Sequence, residues 1–124
     1  MVNMTRPKNN TGVFAHLPIP MRMRYVKRIA EKYGIDLKDV KVVIDRDPYN
    51  LNMGYTRLAN PDKIGEIILE PNAFISEEEL ARTLFHEKIH IEQYKKHGSI
   101  YVQNNHTHFE FEATVAESER FGER

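Results

Sequence analysis

The chain has no cysteine among its 124 residues. Disulfide scaffolds, thiol catalysis and cysteine-based zinc fingers are therefore excluded, leaving His, Asp and Glu as the strong metal ligands. Zinc held by such residues can keep an open, catalytic position. A net charge of either sign is missing too, since 18 Lys plus Arg balance 18 Asp plus Glu. No global field then favours a nucleic acid or an anionic membrane as partner. No apolar run approaches the ~20 residues needed to span a bilayer. Residues 1–12 are polar and lack the apolar core of a signal peptide, so action outside the cell implies an export segment carried by a larger secreted protein. Repeats and low-complexity tracts are absent. What is present, 40% hydrophobic and 29% charged residues, suits one globular domain with a modest core.

Residues 1–19 read as a flexible or loosely docked lead-in, punctuated by Asn9-Asn10, Thr11-Gly12, Pro18 and Pro20. The folded domain is expected over 20–124. Val26, Ile29, Ala30 and Tyr33 recur at helical spacing and predict a helix over about 20–33, capped by Gly34, with Arg24, Lys27, Arg28 and Lys32 on a solvated face. Segments 40–45, 54–58 and 64–70 read as strands, the last two joined by Asn60-Pro61-Asp62. Ser76-Glu77-Glu78-Glu79 has the form of a capping box, with three acids at the positive end of the helix dipole. The helix it opens should run to about Lys96, where Lys95, Lys96 and His97 suit the negative end and Gly98 stops it. A last helix is expected over about 108–121.

His86-Glu87-Lys88-Ile89-His90 carries the chemistry. Two histidines four apart on a helix project from neighbouring turns on one side, which lets both imidazoles bind a single Zn²⁺. Glu87, rotated by ~100° from His86, is placed to be a general base rather than a ligand: it can take a proton from water activated by the metal and pass it to a leaving amine. Leu80, Leu84 and Ile91 give this helix one apolar side, and Phe85 and Ile89 give it another. A polar strip of His86, His90 and Gln93 between them fits a central helix flooring a cleft.

Two histidines need a third ligand. Lys96 stands where the elongated HExxHxxGxxH pattern has its last histidine, which argues against a metzincin. The last helix offers Glu110, Glu112 and Glu117. Glu110 and Glu117 share a face with Thr114, and Glu112 points away. His106 or His108 is an alternative third ligand or an oxyanion donor, with a polar loop of exposed histidines as the plainer reading. Tyr55, Tyr94 and Tyr101 are further oxyanion candidates.

The segment Phe109-Glu110-Phe111-Glu112-Ala113 resembles the E-x-x-A segment that supplies the third ligand in Glu-type zincins. That resemblance implies Glu110 as a zinc ligand. Members commonly have an Asp four residues later that hydrogen-bonds a ligand histidine; here Thr114 stands in that place, which leaves Glu117, one turn on, to take the role. The likeness covers residues ~20–121 and implies an α+β, minimal zincin-like fold. Its order is an N-terminal helix, a small sheet of about three strands, a central HExxH helix and a C-terminal helix carrying the third ligand. In zincins the strand before the active-site helix offers an unpaired edge to the substrate backbone; segment 64–70 precedes it here.

More narrowly, Leu69-Glu70-Pro71-Asn72-Ala73-Phe74 through HEKIH to Gln93-Tyr94 and Gly98 is similar to the metallopeptidase domains at the C-termini of bacterial polymorphic toxins. This implies delivery by a larger secreted protein, a peptide or protein substrate in another cell, and an immunity or inhibitor protein. The expected function is thus that of a zinc-dependent peptidase with one Zn²⁺ per chain, with neither a nucleic-acid partner nor membrane insertion. The alternative is a catalytically silent zincin-fold binding module, against which the intact Glu87 speaks. A deformylase lacks support because its cysteine ligand has no counterpart here.

Overall fold

The computed structural model describes residues 9–59 and 64–124. The expected lead-in over 1–19 lies partly outside them, as does the Asn60-Pro61-Asp62 turn. From Asn10 onward the chain is docked on the domain. The Asn10 amide donates to Leu17 O (3.0 Å) and Ile19 O (2.6 Å), and its Oδ1 accepts from the Met21 N–H (2.8 Å). Leu17 and Met21 are thereby delivered into the core.

Helix α1, Met23–Lys32, starts later than the apolar spacing predicts because Arg22 stays extended. It buries Val26, Ile29 and Ala30, the stripe expected of it. Strands β1 (Val40–Ile44), β2 (Gly54–Ala59) and β3 (Ile64–Leu69) form one sheet in the order β1-β3-β2. β1 runs parallel to β3, and β2 antiparallel. The strand ahead of the central helix is therefore the middle strand, which leaves β1 and β2 as the edges among the described residues, with β2 next to α2. As a middle strand, β3 is buried on both faces, with Ile67, Ile68 and Leu69 in the interior. Its one inner charge, Glu66, lies in register with Lys41 on β1 and Arg57 on β2 and forms an ion pair with each. These cross-strand pairs favour the observed register.

A five-residue 3₁₀ segment, Pro71–Ile75, leads into helix α2, Glu77–His97. Ser76 Oγ accepts from the Glu79 N–H (2.9 Å), as a capping serine should. The Glu79 carboxylate pairs with Arg124. Leu80, Leu84 and Ile91 face the core formed with α1 and the sheet. A close approach brings β3 to this face: a Cβ on Gly65 would lie 2.5 Å from Ile91 Cγ2.

Gly98 (φ 86°) ends α2 by donating its N–H to Tyr94 O (2.8 Å), and a short helix α3, Ser99–Asn104, follows at once. Six residues with Val102 as the one buried side chain carry too little periodicity to be foreseen. Helix α4 runs His106–Phe121, two residues earlier than expected, and returns antiparallel along α2, pairing Glu117 with Arg82 near one end and Glu110 with His90 near the other. The architecture is the minimal zincin-like α+β arrangement. No helix among the described residues is long and apolar enough to cross a membrane.

Candidate metal centre

The HExxH residues lie midway along α2, where the helix leaves the apolar core and faces α4. His86 and His90 lie one turn apart and meet edge to face, ring centroids 4.9 Å from each other. From α4, Glu110 Oε1 approaches His86 Nε2 at 2.9 Å and His90 Nε2 at 2.8 Å. These are the three ligand atoms among the described residues that could hold one metal ion, all within 4.8 Å of each other. Glu110 is thus the residue of α4 brought to the histidines as a third ligand. Glu117 and His108 are placed elsewhere.

The far side of each imidazole decides which nitrogen faces the centre. His86 Nδ1 lies 3.1 Å from Glu117 Oε1, and His90 Nδ1 lies 2.8 Å from Gln93 Oε1. Both oxygens are acceptors: Glu117 is a carboxylate, and Gln93 uses its Nε2 to donate to Phe109 O (3.0 Å) and Glu112 Oε1 (2.9 Å). Each Nδ1 therefore carries the proton, and each Nε2 points a lone pair inward. Two imidazole lone pairs and a carboxylate oxygen then converge on one spot, an arrangement that a cation resolves. When the rings instead carry a proton on Nε2 as well, burial, which raises the Glu110 carboxyl, is outweighed by their hydrogen bonds and charge, and the carboxyl is held below the usual range. The donor set, two nitrogens and one oxygen with room for a further ligand, fits zinc of the catalytic kind.

Behind the histidines the polar packing continues. Arg82, buried on α2, binds Glu117 Oε2 through Nη1 (2.9 Å) and donates through Nη2 to Phe121 O (2.9 Å) and Gly122 O (2.8 Å) at the end of α4. Arg124 adds a second contact to Glu117 (3.1 Å). Glu117 is thus held between the Arg82 guanidinium and the His86 ring. Thr114 lines a groove beside the site and makes no hydrogen bond to either histidine among the described residues.

Glu87 points to the other side of the centre. Thr56 Oγ1 on β2 lies 2.7 Å from Glu87 Oε1 and 2.9 Å from Glu87 O. Burial pushes the Glu87 carboxyl above its usual value, partly offset by the Thr56 hydrogen bond. A cavity of about 240 Å³ opens over His86, Glu87, His90 and Glu110, with β2 residues Gly54, Tyr55 and Thr56 as one wall and Tyr94 and His106 on it. Burial, and then the Glu87 charge, raises the Tyr94 hydroxyl, so it stays a hydrogen-bond donor at neutral pH. Of the two candidate histidines after α2, His106 lines this cavity. His108 is exposed, its ring against Phe109. Tyr101 lines a larger adjoining cavity of about 870 Å³, which shares Thr56, Tyr94 and Gln103 with the first.

Helical spacing put Gln93 in one polar strip with His86 and His90, and left out Arg82 and Thr56. Arg82 and Gln93 had a signal: they extend the His86/His90 line at i−4 and i+3 and are polar where the helix is buried. Glu112, exposed and expected to point away from Glu110 and Glu117, also engages Gln93. Thr56 had no signal, because it comes from a strand 31 residues away.

No protein-family model, no curated protein and no solved structure matches this chain. The assignment therefore rests on the site itself, whose HExxH pair on α2 and distal Glu110 on α4 match the metal site of a zincin-like, Glu-ligand metallopeptidase.

Proposed function

We propose that the chain is a zinc-dependent peptidase in which His86, His90 and Glu110 hold one Zn²⁺ and Glu87 is the general base. The observation that carries this reading is the inward convergence of two Nε2 lone pairs and a carboxylate oxygen, with both Nδ1 atoms engaged by acceptors. Zinc, when bound, supplies the Lewis acid that polarises a carbonyl and makes water nucleophilic near neutral pH. Glu87 takes the proton of the attacking water and returns it to the leaving amine. Its raised affinity for a proton suits both halves of that transfer, and Thr56 keeps the carboxylate turned towards the cavity. Tyr94, protonated and on the cavity wall, is the favoured donor to the developing oxyanion, with Tyr55 and His106 beside it.

The outer edge of β2 pairs with no strand among the described residues. An extended peptide lying along it would pass over Thr56 and Glu87, a strand-addition mode in which main-chain hydrogen bonds give affinity and pockets give selectivity. The adjoining cavity, with Leu58, Tyr94, Ile100 and Tyr101 on its wall, receives a side chain of that peptide. The likeness of segment 69–98 to toxin metallopeptidase domains supports a protein substrate in another cell and an immunity protein that covers the cleft.

Metal analysis and peptide cleavage test the reading together. The wild-type chain should carry about one zinc and cleave within a mixed peptide library. His90→Ala should lose the metal, whereas Glu87→Gln should keep it and lose cleavage by orders of magnitude. Equal inertness of wild type and Glu87→Gln would favour the silent binding module. Zinc retained by a double His86→Ala/His90→Ala variant would remove the site assignment.

A further inference from the structure

The pairing of β2 fixes which of its backbone groups are left over. The Glu70 N–H donates to Met53 O (2.9 Å), one step beyond the partners Gly54 and Leu69. In an antiparallel ladder, hydrogen-bonded and non-hydrogen-bonded pairs alternate, so Met53, Tyr55 and Arg57 turn their N–H and C=O towards β3. Gly54, Thr56 and Leu58 turn theirs to the outer edge, where no strand lies among the described residues. Thr56, whose hydroxyl meets Glu87 Oε1, is the middle one of these three. The free backbone groups are thus centred on the general base and continue to either side of it.

Cavities follow the same line. The one over the metal ligands is bordered by Gly54, Tyr55 and Thr56. On the Leu58 side the cavity of about 870 Å³ adjoins it at Thr56 and passes Leu58 to reach Ile100 and Tyr101. On the Met53 side a third cavity, also of about 240 Å³, shares His86, Glu87 and Glu110 with the central one and reaches Thr83 and Thr114. Three adjoining cavities therefore accompany β2 from Met53 to Leu58, about 17 Å of strand, with the metal ligands in the middle. An enzyme that trims chain ends must hold a terminal amine or carboxylate beside its metal, which a sheltered opposite charge does most strongly. On the Met53 side, beyond the ligands, the charges answer each other: Glu117 is held by Arg82 and Arg124, and Arg124 also pairs with Glu79. On the Leu58 side Arg57 is paired with Glu66, and Lys95 and His97 are exposed on the last turn of α2. Neither side buries an unpaired charge, among the described residues, against which a chain end would stop.

We propose that the cleft takes the interior of an extended chain, with residues on both sides of the scissile bond, so that the enzyme is an endopeptidase. This rests on the peptidase reading above and adds to it the form of the substrate. A peptide strand paired with Gly54, Thr56 and Leu58 carries the bond to be cut past Thr56 and over the ligands, and each flanking stretch meets a cavity of its own. The two arms differ in what they accept. The larger, with Leu58, Ile100 and Tyr101 on its wall, has room for a bulky side chain. The smaller, between Thr83 and Thr114, suits a small one. A loop or an unfolded segment can lie along β2 in this way without presenting either of its ends.

The test uses the zinc-loaded wild-type chain and peptides of roughly ten residues, acetylated at the N-terminus and amidated at the C-terminus, with products identified by mass. Blocked peptides should be cut at internal bonds, with kcat/KM within about threefold of the same peptides with free ends. Shortening the best substrate to a single residue on either side of the cut should lower kcat/KM by at least about tenfold. Thr114→Trp, which fills the smaller arm from an exposed position, should lower it comparably at unchanged zinc content. Products released only from an end, with blocked peptides left whole, overturn the proposal; loss of that trimming in Lys95→Ala would identify an enzyme that reads the carboxyl end. Full activity of Thr114→Trp on long peptides overturns it equally. If the wild type cuts no peptide at all, the catalytic reading fails, and binding to zinc-loaded Glu87→Gln, followed by fluorescence anisotropy, decides the cleft by itself. Equal affinity for free and blocked peptides then upholds a cleft for chain interiors. Affinity that needs a free end, or no affinity, overturns it.

Discussion

The two long sides of α2 pack against their neighbours by opposite means. Towards α1 and the sheet, Leu80, Leu84 and Ile91 are buried without a polar atom to satisfy. Each such side chain contributes about 1.5–3 kcal/mol by leaving water. Towards α4, the line Arg82, His86, His90 and Gln93 meets Glu117, Glu110 and Glu112. Here every buried polar group has a partner, so desolvation is offset instead of converted into stability. One side of a single helix holds the fold, and the other holds a geometry. Damage to the two should therefore be read in different measurements.

The largest loss of stability is expected on the polar side, at Arg82. Replacing it by Met leaves Glu117 buried with Arg124 and the neutral His86 ring to answer it, and strips the donors from Phe121 O and Gly122 O. Breaking a buried pair from one end costs about 3–5 kcal/mol, measured by denaturant unfolding. Adding Glu117→Gln should recover part of that loss, and a double-mutant cycle showing no coupling would refute the locked-pair description. Leu84→Ala on the apolar side should cost about 2–5 kcal/mol through transfer and cavity terms. The comparison predicts that its folded fraction still binds zinc with wild-type affinity. A weakened zinc constant in Leu84→Ala would show that the two sides are mechanically coupled.

Legibility in the sequence divides along the same line. Helical spacing alone puts His86, Glu87 and His90 in place, because a four-residue step is a local property. Seven residues put Glu110 and Glu117 on one face, but it is the resemblance of segment 109–113 to Glu-type zincins that pairs Glu110 with the histidines. The supporting residues are harder. Arg82 and Gln93 are polar at buried positions, a signal that marks them as partnered without naming the partner. Thr56 depends on which strand borders α2, and periodicity identifies a strand without its neighbours. For the same reason the order β1-β3-β2, and hence the edge on β2, is set by the tertiary packing of Gly65 against Ile91 and the Lys41–Glu66–Arg57 register. Glu70 reads as a strand-end polar residue, and only burial reveals that it lacks a partner.

A smaller effect on stability and a larger one on metal is expected at Gln93. Its Oε1 fixes the His90 tautomer while its amide ties α2 to Phe109 O and Glu112. Gln93→Ala frees the His90 ring to turn and should lower zinc affinity by about 10–100-fold, measured by competition with a chelating indicator. Its cost in unfolding free energy should stay near 1–3 kcal/mol. If zinc affinity were unchanged, Gln93 would be a helix-packing residue only, and the outer hydrogen bonds would not belong to the metal centre.

The smallest expected effect serves as the control for both sides. Ser76 caps α2 before its two sides diverge, through one hydrogen bond to the Glu79 N–H. Ser76→Ala should remove about 1 kcal/mol and lower the melting temperature by a few degrees, without a change in zinc constant or cleavage rate per folded molecule. Glu79 stays tied to Arg124 and the three acids of the first turn still meet the helix dipole, so the first turn frays and the rest of α2 holds. A cap deletion that also weakened zinc would mean that motion of the N-terminal turn is transmitted through Arg82 to Glu117 and His86. The separation of fold from geometry would then fail at the one place where both sides share a residue's length of backbone.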